Sequence, residues 1–138
     1  MDENRSEWLR RINEELGPFN RLVGLRAEAV EQGRSRIVCE IRPELCNPRG
    51  AVHGGMSATL MDVAAGVAAI YASGEYRPMV TQSASVHYLR PLAGSLMAAE
   101  GRVIKAGKHT CLARVDVFND QDRLCCTGDL ELFYLDEA

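Results

Sequence analysis

Residues 47–72 read Asn47-Pro48-Arg49-Gly50-Ala51-Val52-His53-Gly54-Gly55, then MSATLMDVAAGVAAIYA from Met56 to Ala72. The second part is apolar and Ala-rich, with little of the β-branched or aromatic character of a strand. Its one charge is Asp62. It is too long for a single strand and predicts a helix of about five turns. Apolar side chains fall on all sides, which predicts that the helix is buried. A carboxylate inside such a helix is costly unless it is paired, hydrogen-bonded or neutralised. Helical spacing puts Asp62 beside Ala58, Thr59, Ala65 and Gly66, all small, so it stands in a notch that another group can enter. Two roles stay open for it: a carboxylate held by a structural partner, or a centre of chemistry.

The start of the helix adds a second feature. Gly50, Gly54 and Gly55 allow tight turns and close approach of a ligand, and His53 sits at the corner. The first N–H groups of a helix lack partners and carry the positive end of its dipole, so they suit an anion or a polarised carbonyl. The alternative is an ordinary loop-to-helix turn. Asp62 lies seven residues past Gly55, about 10 Å along a helix. One carbonyl group cannot touch both on the same helix. If both act on one substrate, a second copy of the helix supplies one of them, and two antiparallel helices in a dimer satisfy this.

These residues carry a resemblance. Asn47-x-x-Gly50-x-x-His53-Gly54-Gly55, with Asp62 nine residues after the His, resembles the motif of the PaaI-like acyl-CoA thioesterases of the hotdog-fold superfamily. Tyr88-Leu89-Arg90-Pro91 and Ala106-Gly107-Lys108 are similar to that family too, in the same order. The likeness runs from about Leu16 to the C-terminus. It implies that Asp62 is catalytic and that Asn47 helps to position a water or the thioester carbonyl. It also implies that Thr81 matches a position where some members carry a Ser near the attacking water. The strand holding Thr81 is then expected at a dimer seam, and a tetramer of two such dimers is expected.

Length and composition bound the rest. The chain of 138 residues suits one domain with a sizeable core, taken as 1–138. A net charge of -3 without a basic cluster argues against nucleic acid and anionic membrane as partners. Met1 to Glu7 are acidic and polar, unlike a signal or transit peptide. The apolar run, broken by Asp62 and Gly66, reads as a core helix rather than a membrane span. Five cysteines show no metal-site spacing, so neither a disulfide framework nor a zinc site is expected, and a reducing cytoplasm fits. Cys125 and Cys126 are adjacent in an expected strand and should face opposite sides. The three histidines are scattered, so no metal is expected. No Gly-rich phosphate loop is present, and no cofactor is expected.

Asn4 to Leu16 predicts a short amphipathic helix, with Trp8, Ile12 and Leu16 on one face and Gly17-Pro18 ending it. It covers one edge of the core, and the resemblance leaves open that it walls an acyl pocket. Val23–Glu31 and Arg34–Ile41 read as strands joined by Gln32-Gly33. A loop from Arg42 to Val52 follows, where Asn47 suits a turn. Ser73-Gly74 closes the central helix. From Val80 the chain alternates, with Val80, Ala84, Val86 and Tyr88 on one side and Thr81, Ser83, Ser85 and His87 on the other. His87 reads as a surface or interface residue rather than a ligand. Ser95–Lys105, His109–Phe118 and Leu124–Leu135 complete the strands, with turns at Ala106-Gly107-Lys108 and Asn119–Asp122. The sum is an α+β domain, an antiparallel sheet of five to six strands wrapped around one long helix. The resemblance names this the hotdog fold.

The reading for function is an acyl-CoA thioesterase. Asp62 is general base for a water, or nucleophile through an anhydride. The Gly55 amide, with Gly54, at the helix N-terminus of the other subunit polarises the carbonyl, and His53 and Asn47 orient that end. Arg90, Lys105 and Lys108 are the candidates for the phosphates of coenzyme A, or else solvated charges at strand ends. Tyr71, Tyr88 and Phe19 are the aromatic residues expected near the site. A hotdog hydratase or dehydratase and a non-catalytic acyl-CoA binding module are the alternatives.

Overall fold

The apolar run folds as a helix of 17 residues, Gly54–Ile70, beginning and ending two residues earlier than the sequence suggested. The shift has a local cause. His53 caps the helix with its ring, Nδ1 accepting from the Gly55 amide at 2.9 Å, so the two glycines join the first turn. The computed structural model describes residues 3–136, without the Glu3 side chain; Met1 and Asp2 of the acidic start lie outside it, as do residues 137 and 138.

In chain order the elements are α1 (Glu3–Glu14), α2 (Pro18–Val23), β1 (Arg26–Glu31) and β2 (Arg34–Glu40). A short 3-10 turn (Pro43–Leu45) leads to α3 (Gly54–Ile70), and then come β3 (Met79–Tyr88), β4 (Leu96–Ala106), β5 (Thr110–Phe118) and β6 (Leu124–Tyr134). The six strands form one antiparallel sheet in the order β1-β2-β4-β5-β6-β3. The sheet curls around α3, the expected hotdog architecture. Leu60, Met61, Ala64, Ala65, Ala68 and Ala69 of α3 are fully buried. All of these but Ala68 share one core cluster with Ile37, Met97, Val115, Val117, Leu130 and Leu132 of the sheet. Each large side chain so buried is worth about 1.5–3 kcal/mol. The outer face carries charge, in the Glu28–Arg36–Glu100 group and the Arg114–Asp129 pair.

Three expectations are corrected. Val23 does not begin a strand. Pro18 starts a short helix, α2, and Gly24 ends it in the left-handed conformation (φ 87°), its N–H on the carbonyls of Asn20 and Arg21. The strand starts only at Arg26.

The second correction concerns Asp62. The helix is not buried all round: Gly55, Thr59, Asp62 and Val63 form a stripe left partly or fully exposed beside β3. Asp62 is therefore exposed on the chain, and the cost of burying it is not incurred.

The third concerns the alternation of β3. The pairing with β6 slips between Thr81 and Ser83, a β-bulge at Gln82. The extra residue reverses the parity, so Met79 and Thr81 face α3 before it, and Ala84, Val86 and Tyr88 after it. Strict alternation had put Thr81 on the face opposite Tyr88.

Helix α1 covers the end of the core. Ile12 is buried, Trp8 stacks on Tyr71 at 4.4 Å, and the Asn13 amide side chain bonds both the N–H and the carbonyl of Ala27 in β1. At the far end of the sheet, the Arg77 guanidinium pairs with Asp136, lies over the Tyr134 ring and donates to the carbonyls of Gly107 and Lys108. It holds the Asp136 carboxyl below its usual range. Cys125 and Cys126 are both buried, Cys125 against the carbonyl of Pro91. Burial pushes the thiols of Cys39, Cys111, Cys125 and Cys126 up, so they stay protonated and inert.

Candidate active site

The bulge in β3 makes the first half of the site. It turns Thr81 toward α3, where its hydroxyl donates to Asp62 Oδ1 at 2.6 Å. Oδ2 has no hydrogen-bond partner among the described residues, and the residue is exposed. A carboxylate with one oxygen anchored and one open is set to take a proton from a water or to attack an electrophile. Beside it opens a cavity of about 420 Å³, lined by Asp62 and Thr81, by aliphatic side chains of α1, α3 and β3, and by the polar side chains of Glu15 and Asn20. Both walls were predicted in part: Asp62 from its isolation in an apolar run, Thr81 from the resemblance. Their hydrogen bond depends on the bulge, which has no signal in the pattern.

The second half lies at the N-terminus of α3. His53 Nδ1 is engaged by the Gly55 amide, so in the neutral ring Nε2 carries the hydrogen and points away from the cap. This alters the expected donor. The Gly55 N–H is already satisfied, whereas the Gly54 N–H has no acceptor among the described residues. Asn47 does what a turn residue does, its Oδ1 accepting from the amides of Arg49 and Ala51. Its Nδ2 keeps its donors. Asn47, Gly54, Tyr88 and Arg90 line one groove, and the Tyr88 hydroxyl donates to the Gly54 carbonyl at 2.9 Å. That bond fixes the first residue of the helix to the end of β3. The sequence placed Tyr88 near the site without suggesting this role.

The two halves do not meet within one chain. Gly54 and Asp62 are eight residues apart on α3, about 12 Å along its axis. The basic residues separate as well. Arg90 is in the Gly54 groove, whereas Lys105 lies in a groove with Ala72, past the opposite end of α3, and Lys108 is in the β4–β5 turn. Tyr71 is buried under Trp8, away from both halves, which corrects its expected place. Phe19 of α2 stands exposed beside His53 and Gly55. Among the described residues no group of three or more His, Cys, Asp or Glu side chains is placed to hold a metal, and no helix is long and apolar enough to cross a membrane.

Comparison with known proteins gives the family. The family model of the thioesterase superfamily matches residues 49–126, from the loop before His53 to the start of β6. A medium/long-chain acyl-CoA thioesterase of Salmonella typhimurium, YigI, is 28% identical, the match covering 75% of this chain and 76% of that one. Among solved structures, a variant of the phenylacetic acid degradation protein PaaI from Thermus thermophilus superposes with a TM-score of 0.77 at 26% identity, over 86% of this chain and 100% of that one. A conserved protein from Pseudomonas aeruginosa gives 0.82 at 28%, over 86% and 94%. Fold, motif order and matched residues place this chain in the thioesterase superfamily, as a PaaI-like thioester hydrolase of the hotdog fold.

Proposed function

We propose that the chain hydrolyses acyl-CoA thioesters in a homodimer, each site combining Asp62 and Thr81 of one protomer with the α3 N-terminus of its partner. The observation that carries this is the Asp62–Thr81 pair on the wall of an apolar cavity, about 12 Å from the free Gly54 amide of its own helix. Asp62 Oδ2 takes the proton of a water that attacks the thioester carbonyl, and the coenzyme A thiolate leaves. The partner's helix N-terminus stabilises the oxyanion through the Gly54 amide, with His53 and Asn47 as neighbouring donors. Gly55 contributes by fixing the His53 ring. The name of the Salmonella relative supports coenzyme A as the carrier. Arg90 is the phosphate contact at the Gly54 end, and Lys105 and Lys108 reach the same coenzyme A only across protomers.

Strand β3 supports the dimer. It is a sheet edge of ten residues, MVTQSASVHY, with no Lys, Arg, Asp or Glu, and residues 80–85 are exposed on both faces. An uncharged edge of this length is a template for pairing with a second copy. Pairing there sets the exposed stripes of two α3 helices side by side. A tetramer of two such dimers is the larger assembly proposed. A reducing cytoplasm suits the five free thiols.

The function is tested by free thiol release from short-, medium- and long-chain and aryl acyl-CoAs. Turnover is expected. Binding of the same compounds without thiol release would overturn the reading in favour of a binding module, and water addition to an enoyl-CoA would favour a hydratase.

Site sharing has a separate test. The nearest atoms to a Cβ on Gly54 belong to the Tyr88 phenol, at 3.5 Å and beyond, so Gly54→Ala is expected to fold while crowding the amide that approaches substrate. Mixed with Asp62→Asn chains, it should restore activity toward one site per mixed dimer. Purified mixed dimers no more active than either parent would sink the shared site.

A further inference from the structure

We infer that the cavity beside Asp62 receives a neutral, straight-chain aliphatic acyl group, and that the Met79 side chain, seated over Gly66, sets the length of chain accepted. The inference rests on the reading of Asp62 as the group at the reacting carbonyl.

The volume of about 420 Å³ is that of a small-molecule site. Its walls are Ile12 of α1, Leu16 just beyond it, Val63, Val67 and Ile70 of α3, and Met79 of β3. Val63, Val67 and Ile70 follow one another at helical spacing, so the apolar stripe starts at Asp62 and runs about 12 Å toward the C-terminal end of α3. A chain whose carbonyl sits at Asp62 extends along that stripe. Every one of these walls is aliphatic. No aromatic ring lines the cavity, so an aryl group finds none to stack on. The polar rim groups are also informative. Glu15 is a carboxylate already paired with Arg11, and Asn20 uses one of its two amide hydrogens on the Leu16 carbonyl, so no cation lines the cavity to hold a carboxyl terminus. The Glu15 and Asp62 carboxylates repel a chain ending in a carboxylate.

Gly66 and Met79 limit the depth. Gly66 is one turn past Asp62, and a Cβ there would lie 2.6 Å from Met79 Cε. The Met79 methyl thus occupies the space that any other side chain at 66 would take. Met79 is half-buried at the start of β3, just before the bulge that delivers Thr81. The wall of the cavity over Gly66 is therefore the end of a flexible, unbranched side chain rather than backbone, and it is movable without disturbing the Asp62–Thr81 pair.

The test compares wild type, Met79→Ala and Gly66→Ala in two measurements. One is kcat/KM on a saturated acyl-CoA series from short to long. The other is Kd for the matching S-alkyl-CoA thioethers, which cannot be hydrolysed. In the wild type, affinity is expected to rise about fourfold per methylene until the chain meets Met79, and then to level off. Met79→Ala extends the rising part by about two to three methylenes, the length of side chain removed. Gly66→Ala drives the Met79 methyl into the cavity and shortens it by about one. The ω-carboxyl analogue of each chain binds more weakly than the parent. Breakpoints that coincide in all three proteins overturn the role of Met79, and affinity independent of chain length overturns the acyl cavity. A moving breakpoint in Kd with no thiol release from any acyl-CoA overturns the hydrolase reading instead, so the two failures are distinguishable.

Discussion

Asp62→Asn lowers kcat for acyl-CoA hydrolysis by a hundredfold or more, the span of about 10²–10⁴ that a positioned general base supplies. The substitution separates chemistry from structure. The side-chain amide it introduces still accepts the Thr81 hydroxyl through its own oxygen, in place of the Asp62 Oδ1 that lies 2.6 Å from that hydroxyl in the parent. Only the second oxygen changes, from a proton acceptor to an amide donor. Because residue 62 is exposed on the chain, the change is expected to leave the unfolding midpoint nearly unchanged. Turnover within threefold or so of wild type would remove Asp62 from the mechanism. The route is read in single turnover in ¹⁸O water. Label found in the Asp62 carboxylate shows an anhydride that water opens at the Asp62 carbonyl, whereas a general base puts the label only in the released acid.

Gly101→Val is expected to cost about 3 kcal/mol or more, a large share of the stability of a domain this size. Gly101 in β4 pairs with Ser35 in β2, directly under α3. A Cβ at 101 would lie 2.6 Å from the Ala64 carbonyl oxygen and 2.8 Å from Ser35 Oγ, which itself donates to that carbonyl at 2.6 Å. The obstacle is helix backbone, so relief requires lifting α3 off the sheet, and the layer that includes Leu60, Met61 and Ala64 opens with it. Gly101→Ala should lose about 1–3 kcal/mol by the same contact. Urea unfolding midpoints measure both, and an Ala variant as stable as wild type would show that the sheet and helix yield at this point.

The features that the chain announces on its own are those with local causes. A run of small apolar residues bounded by Gly and Pro-rich loops forms a helix whatever surrounds it, so α3 was legible to within two residues. The strands β5 and β6 follow period-two patterns over most of their length, because one face of each is buried. Asp62 stood out as the one charge in its run, although the reason first attached to it, burial, was wrong: the helix keeps one stripe uncovered beside an edge strand. Other features come from residues distant in sequence. A bulge leaves no mark in alternation, yet it decides that Thr81 faces Asp62. Two adjacent glycines look equivalent until the His53 ring takes the amide of one and leaves the other free. Arg90 and Lys105 look alike as strand-end charges, and the course of α3 sends them to opposite ends. Local interactions depend on neighbours within a turn or a strand and can be read in order. The pairing of Asp62 with Thr81, the choice between Gly54 and Gly55, and the packing of Met79 over Gly66 depend on sheet register and on which side chain reaches a space first, and only the assembled fold decides those.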